Sequence, residues 1–147
     1  MSWKILRKKK FDPSNLTQTE IITLEEWQEY VNSDEDLIWA EVSPIADAYR
    51  KAGEVWIDKT RLRHVAYFEL NKAGYGNLRF KYINRHYVSI ECERQTLSRV
   101  EKMWAVAKAL NGYLFKKGSR FTEQKLEKLR EKYDKSRKKA PNDNQEA

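Results

Sequence analysis

Two runs of strict alternation, followed by one run of helical period, limit what this chain can fold into. Leu78, Phe80 and Tyr82 alternate with Arg79 and Lys81, and Val88, Ile90 and Cys92 alternate with Ser89 and Glu91. A two-residue period sets the apolar side chains on one side of an extended chain, so each run predicts a strand with one buried face. Asn84-Arg85 or Asn84-Arg85-His86 supplies the hairpin turn between them, because Asn tolerates positive φ. Leu97, Val100, Met103, Trp104, Ala107 and Leu110 then recur at helical spacing within residues 96–111. That stripe is wide enough to cover one sheet face. Asn111-Gly112 gives the helix its stop.

Weaker signals extend the pattern. A strand is expected at 37–42, ended by Ser43-Pro44 because proline cannot donate to a central ladder. Others are expected at Val55-Trp56-Ile57 and at 64–70, with a turn at 72–77 marked by Gly74 and Gly76. Residues 45–53 fit a helical turn and a loop equally. Thr23 and Glu26 form a capping box for a short helix, with Ile22 and Trp27 as its hydrophobic staple. Leu24, Trp27 and Val31 face inward, Glu25, Gln28 and Glu29 outward, and the helix stops near Asn32-Ser33. Tyr113-Leu114-Phe115 adds a short strand and Lys117-Gly118 a turn. Thr122 caps a last helix on Leu126, Leu129 and Tyr133. Beyond Asp134 the apolar period ends, so residues 135–147 are expected to be a disordered basic and polar tail. The expected fold is one α+β domain over residues 1–134. It has an antiparallel sheet of about four to five strands with a long amphipathic helix on one face, a short acidic N-terminal helix and a basic C-terminal helix.

Charge is divided unevenly along this frame. Residues 11–49 carry ten acidic side chains and no Lys or Arg, although the chain as a whole is +7. Residues 1–10 carry five basic residues and no acid, and residues 116–139 carry eleven basic and four acidic. Between them, residues 11–115 hold thirteen basic and sixteen acidic residues, so the high average pI misdescribes the expected folded middle. Long-range fields of this kind set encounter rates and partner choice rather than fold.

The single cysteine, Cys92, excludes an intrachain disulfide and agrees with a reducing compartment. The N-terminus lacks the apolar run of a signal peptide, and no stretch approaches the roughly 18 apolar residues of a membrane span. A cytoplasmic protein with no membrane contact is the expectation. No catalytic residue, metal site or cofactor is expected. Asp58, Glu69 and Lys72 resemble the carboxylates and lysine of Mg²⁺-dependent nucleases, but two residues separate Glu69 from Lys72 where one is needed to share a strand face. His64 and His86 adjoin turns and read as surface residues, and Cys92 continues the buried face of Val88 and Ile90. Tyr67, Tyr82 and Tyr87, at strand spacing, read as packing rather than as stacking platforms.

Three pieces together resemble a layout found in small, largely uncharacterised bacterial α+β proteins. They are the run from Ile22 through Val31 followed by Asp34 and Leu37, the Val55-Trp56-Ile57 strand with its meander, and residues 97–110 running into Asn111-Gly112. The group includes candidate immunity proteins of toxin–immunity systems, and the resemblance implies a non-catalytic protein that neutralises a toxin by binding it. This chain departs from the group's acidic turn after the long helix, reading Phe115-Lys116-Lys117-Gly118 instead.

The acidic run supplies a surface for such a role. Glu25, Glu29, Asp34, Glu35 and Asp36 are the expected contacts with a basic protein partner, for instance a nuclease-type toxin. Their setting lacks the interleaved Lys or Arg that ordinarily supports a solvent-facing helix. The alternative is a nucleic-acid-binding accessory protein, with Lys8, Lys9, Lys10, Lys135, Arg137, Lys138 and Lys139 on the phosphates. No helix-turn-helix, zinc-finger or aromatic ribonucleoprotein motif accompanies those residues.

Overall fold

The computed structural model describes residues 2–44, 63–83 and 85–139. Within them the chain forms one antiparallel sheet of seven strands and three α-helices. The strands are β1 (Ser2–Leu6), β2 (Leu37–Trp39), β3 (Val65–Leu70), β4 (Gly76–Ile83), β5 (Tyr87–Cys92), β6 (Tyr113–Lys116) and β7 (Ser119–Arg120). The helices are α1 (Leu24–Ser33), α2 (Leu97–Ala109) and α3 (Glu123–Lys139). In space the strands run β2-β3-β4-β5-β1-β6-β7.

The sheet is larger than the expected four to five strands, and the main addition is β1. Only five residues long, it is inserted between β5 and β6, with Trp3 opposite Ile90 and Ile5 opposite both Val88 and Leu114. Lys4 points to the other face, where its ammonium lies 5.9 Å from the Phe11 ring. A segment that reads as a basic end is thus a central strand whose charge stays on the outer face. The strand expected over 37–42 is three residues long and passes into a 3₁₀ turn, Ala40–Val42. Val55-Trp56-Ile57, Asp58 and Asn84 lie outside the described residues.

The meander β3-β4-β5 buries the face its alternation predicts. Leu78, Phe80 and Tyr82 are buried, while Arg79 pairs across the outer face with Glu91 at 3.0 Å and Glu93 at 2.7 Å. Thr23 accepts from the Glu26 amide at 3.1 Å and Glu26 returns a bond to the Thr23 amide at 3.0 Å, which closes the capping box. Trp27 enters the core, tilted against Phe80 and edge-on to Trp39, with both ring centroids 6.3 Å away. Val100, Met103, Val106 and Ala107 of α2 join the same cluster, as does Leu126 of α3. Asn111, at φ 55°, closes α2 in a left-handed cap, with the Gly112 amide donating to the Ala107 carbonyl at 2.8 Å. Lys117 and Gly118, both at positive φ, make the two-residue turn that returns β6 into β7.

The last helix does not stop at Asp134. It continues to Lys139, so the first five residues of the expected tail are helical. Lys, Arg and Ser at those positions are compatible with helix continuation although they offer no apolar face.

Candidate functional site

Sheet order turns the charge division of the sequence into a spatial one. The acidic segment builds α1 and β2 at one edge, whereas the basic-rich segment builds β6, β7 and α3 at the other. At the acidic edge Glu25, Glu29, Glu35 and Asp36 are exposed. Glu25 and Glu29, four residues apart, share one side of α1. Other carboxylates there are spent on structure: Glu26 pairs with Arg7 at 2.7 Å, and Glu41 with Arg63 at 3.1 Å.

Asp34, expected among the partner contacts, is turned inward. Its side chain is only 10% exposed and receives Lys102 Nζ at 2.6 Å and the Tyr30 hydroxyl at 2.5 Å. Burial works against its ionised form, yet the Lys102, Tyr30 and Asp36 amide hydrogen bonds hold its carboxyl below the ordinary value. Burial, with Asp34 as acceptor, pushes the Tyr30 hydroxyl far above its usual range. This polar knot fastens the end of α1 to α2, and Lys102 lies 5.4 Å over the Phe68 ring. The expected contact set is thereby reduced to four outward carboxylates, with Asp36, 71% exposed, a looser partner of Lys102 at 3.5 Å.

Two apolar residues join them that sequence reasoning did not single out. Ile38 and Val42, 37% and 64% exposed, are the exposed large hydrophobic residues among those described. Ile38 is paired with Tyr67 on the outer face of β2, next to the Asp34-Glu35-Asp36 turn, and Val42 follows in the 3₁₀ turn. Leu37, Ile38 and Trp39 are all apolar, so no alternation in the sequence marks which one faces out.

The basic residues expected to hold nucleic acid are distributed over both faces of the opposite edge. Lys9 and Lys10 are exposed, and Lys8 Nζ donates to the Asn15 carbonyl at 2.9 Å. The adjoining Phe11 ring packs on Phe115 at 5.4 Å, on the outer face that also carries Lys4. Lys135, Arg137, Lys138 and Lys139 belong to α3, whose Leu126 and Leu129 pack with the core on the other face.

Of Asp58, Glu69 and Lys72, Glu69 is engaged elsewhere. Glu69 adopts φ 61° within β3 and accepts from Arg99 Nε at 2.8 Å and Asn77 at 3.0 Å. The Arg99 hydrogen bond holds its carboxyl below the ordinary value. Lys72 is exposed on the β3–β4 turn and Asp58 is outside the described residues. His64 packs edge-on to Tyr82 at 5.7 Å, and the His86 carbonyl accepts the Ile22 amide at 2.9 Å. Among the described residues no group of three His, Cys, Asp or Glu is placed to hold a metal. Burial raises the Cys92 thiol above its ordinary value, which lowers its thiolate fraction. Tyr67 and Tyr82 are buried, and Tyr82 donates to the Ile22 carbonyl at 2.7 Å; burial pushes its hydroxyl up to about 12.

Among the described residues no helix is long and apolar enough to cross a membrane. Comparison with known proteins finds no matching family model, no matching curated protein and no matching solved structure, so function has to be argued from the chain's own surfaces.

Proposed function

We propose that this chain is a non-catalytic protein-binding domain that takes a basic partner on its acidic edge, with neutralisation of a toxin as the role that best fits. One observation carries this reading: Ile38 and Val42, the exposed large hydrophobic residues among those described, follow in the chain on the exposed Glu35 and Asp36, and α1, which presents Glu25 and Glu29, packs against β2 through Trp27 and Trp39. Apolar contact area beside exposed single-sign charge suits protein recognition, where buried apolar anchors supply affinity and peripheral charges supply encounter rate.

Affinity capture from the source cells, with and without nuclease treatment, tests this reading. The expected result is a basic protein retained after nuclease treatment. Its association with the Glu25→Lys/Glu29→Lys/Glu35→Lys variant should be about tenfold slower at low salt, and its dissociation should quicken with Ile38→Asp. Failure to retain a basic protein after nuclease treatment, or association indifferent to all four substitutions, rejects it.

A further inference from the structure

At the opposite edge, the C-terminal half of α2, β6, β7 and the start of α3 enclose a groove of about 250 Å³. Its walls are aromatic: Trp104 from α2, Tyr113 from β6 and Phe121 from the β7–α3 junction. Trp104 and Phe121 meet edge-on at 6.2 Å, and Phe121 is braced from beneath by Trp3 at 5.4 Å. All three wall residues are only partly buried.

Each outer wall carries a cation. Lys108 Nζ lies 5.4 Å over the Trp104 ring and the Arg120 guanidinium 5.3 Å over Tyr113, both lining the groove and both exposed. A cavity just below the roughly 300 Å³ typical of small-molecule pockets holds one ring system rather than an extended ligand. A flat π-bearing ring laid against these aromatic side chains, with negative charge against the two cations, is the ligand chemistry that matches.

The cations continue beyond the groove. Lys125, Lys128, Lys132 and Lys135 recur at helical spacing along α3 and are all exposed. At 1.5 Å per residue they line about 15 Å of helix surface leading away from the groove. Lys125 is fixed at its start, donating to the Arg120 carbonyl at 2.9 Å. A free nucleotide would leave that stripe unused, whereas a phosphate backbone would follow it.

We infer that the Trp104–Tyr113–Phe121 groove takes one base of a single-stranded nucleic acid, with Lys108 and Arg120 on the adjoining phosphates and the α3 lysines on the strand that follows. Stacking tolerates any base, so the site selects single strands rather than a sequence. It is independent of the acidic edge and of the protein partner proposed there. Glu123, the one carboxylate lining the groove, opposes the ligand.

Fluorescence anisotropy of a labelled ten-nucleotide single strand titrated with the full chain tests this. Arg120→Glu/Lys108→Glu should weaken binding at least tenfold and lower the dependence of log affinity on log salt by about 1.4, the share of two phosphate contacts to a single strand. Tyr113→Leu, which keeps bulk but removes the π-face, should weaken it several-fold. Glu123→Gln should tighten it. Lys72→Glu, a single charge reversal of the same kind on the β3–β4 turn, should alter it less than twofold, and so should Glu25→Lys/Glu29→Lys. Circular dichroism and the thermal midpoint confirm that each variant is folded. The inference is overturned by absence of binding, by a Lys72→Glu effect equal to that of Arg120→Glu/Lys108→Glu, by polyphosphate competing as well as the oligonucleotide while Tyr113→Leu is silent, or by a free mononucleotide competing at the oligonucleotide's own concentration.

Discussion

Arg7 grips both carboxylate oxygens of Glu26, at 2.9 and 2.7 Å, although 19 residues separate them in the chain. The same guanidinium donates to the Leu110 carbonyl at 2.8 Å and to that of Ile21 at 2.9 Å. Arg7 follows directly on β1, Glu26 lies in the first turn of α1, and Leu110 caps the end of α2. One side chain thus joins three elements at the charge-bearing end of each helix, where a cation suits the terminal carbonyls of α2.

The pH dependence of this pair is the first prediction. Hydrogen bonds from Arg7 hold the Glu26 carboxyl at about 2, against an ordinary 4.5. A carboxylate depressed in this way adds stability that is complete above pH 4.5 and is lost as pH falls from there toward 2. Because the Glu26 side chain is 42% exposed, solvent screening reduces its worth. Glu26→Gln should therefore cost about 1–2 kcal/mol at pH 7 and almost nothing near pH 2. Urea denaturation of both proteins across that range measures it. A gap that persists unchanged at the acidic end would remove charge as the cause.

Trp3 is wholly buried in the central strand that the N-terminal basic run conceals. Trp3→Ala should cost about 3–5 kcal/mol. Removal of residues 1–6 should cost more, since β5 and β6 both pair with β1 and lose their ladder together. Denaturant titration and amide exchange would show it. A truncated chain with undiminished protection in β5 and β6 would contradict the assigned topology.

These two cases mark what was legible in the sequence. The capping box of Thr23 and Glu26 is a contact within one helical turn, and α2 repeats its apolar spacing over 13 residues, so both were readable locally. β1 offers only Trp3 and Ile5 around Lys4, and its place depends on Ile90 and Leu114 far along the chain. The candidate site divides in the same way. Exposed carboxylates on α1 follow from helix phase, but the inward turn of Asp34 depends on Lys102, 68 residues away. Likewise Trp104 counted only as part of the apolar stripe of α2, because its pairing with Phe121 and Lys108 depends on how β6, β7 and α3 return to the helix.

Gly76 gives a third prediction. A Cβ added there would stand 2.5 Å from the Tyr67 Cβ and 2.6 Å from the Leu78 carbonyl oxygen, neither of which is the far end of a flexible side chain. Gly76→Ala should then destabilise the β3–β4 pairing by about 1–3 kcal/mol, as overpacking does, despite the lower chain entropy of alanine. Asn77→Ala, its half-buried neighbour, should cost less. Thermal denaturation of the two variants compares them, and a neutral Gly76→Ala would mean that β3 and β4 lie farther apart than described.

The acidic edge supplies the last prediction, because its carboxylates divide into two kinds. Asp34 accepts from Lys102 and Tyr30, and with its partner ammonium only 12% exposed, Asp34→Ala would leave a largely buried charge with the looser Asp36 contact at 3.5 Å and a hydroxyl without its acceptor. The expected loss is about 2–4 kcal/mol, since removing one member of a buried pair costs more than the pair itself is worth. Adding Lys102→Met should recover part of it by eliminating that charge. Glu29→Lys, exposed on α1, should alter stability by no more than about 0.5 kcal/mol while changing the field at that edge. Denaturant midpoints for the three variants, set beside association rates for a basic partner, separate scaffold from surface. Equal destabilisation by Asp34→Ala and Glu29→Lys would erase that distinction and, with it, the assignment of Glu29 to a binding face.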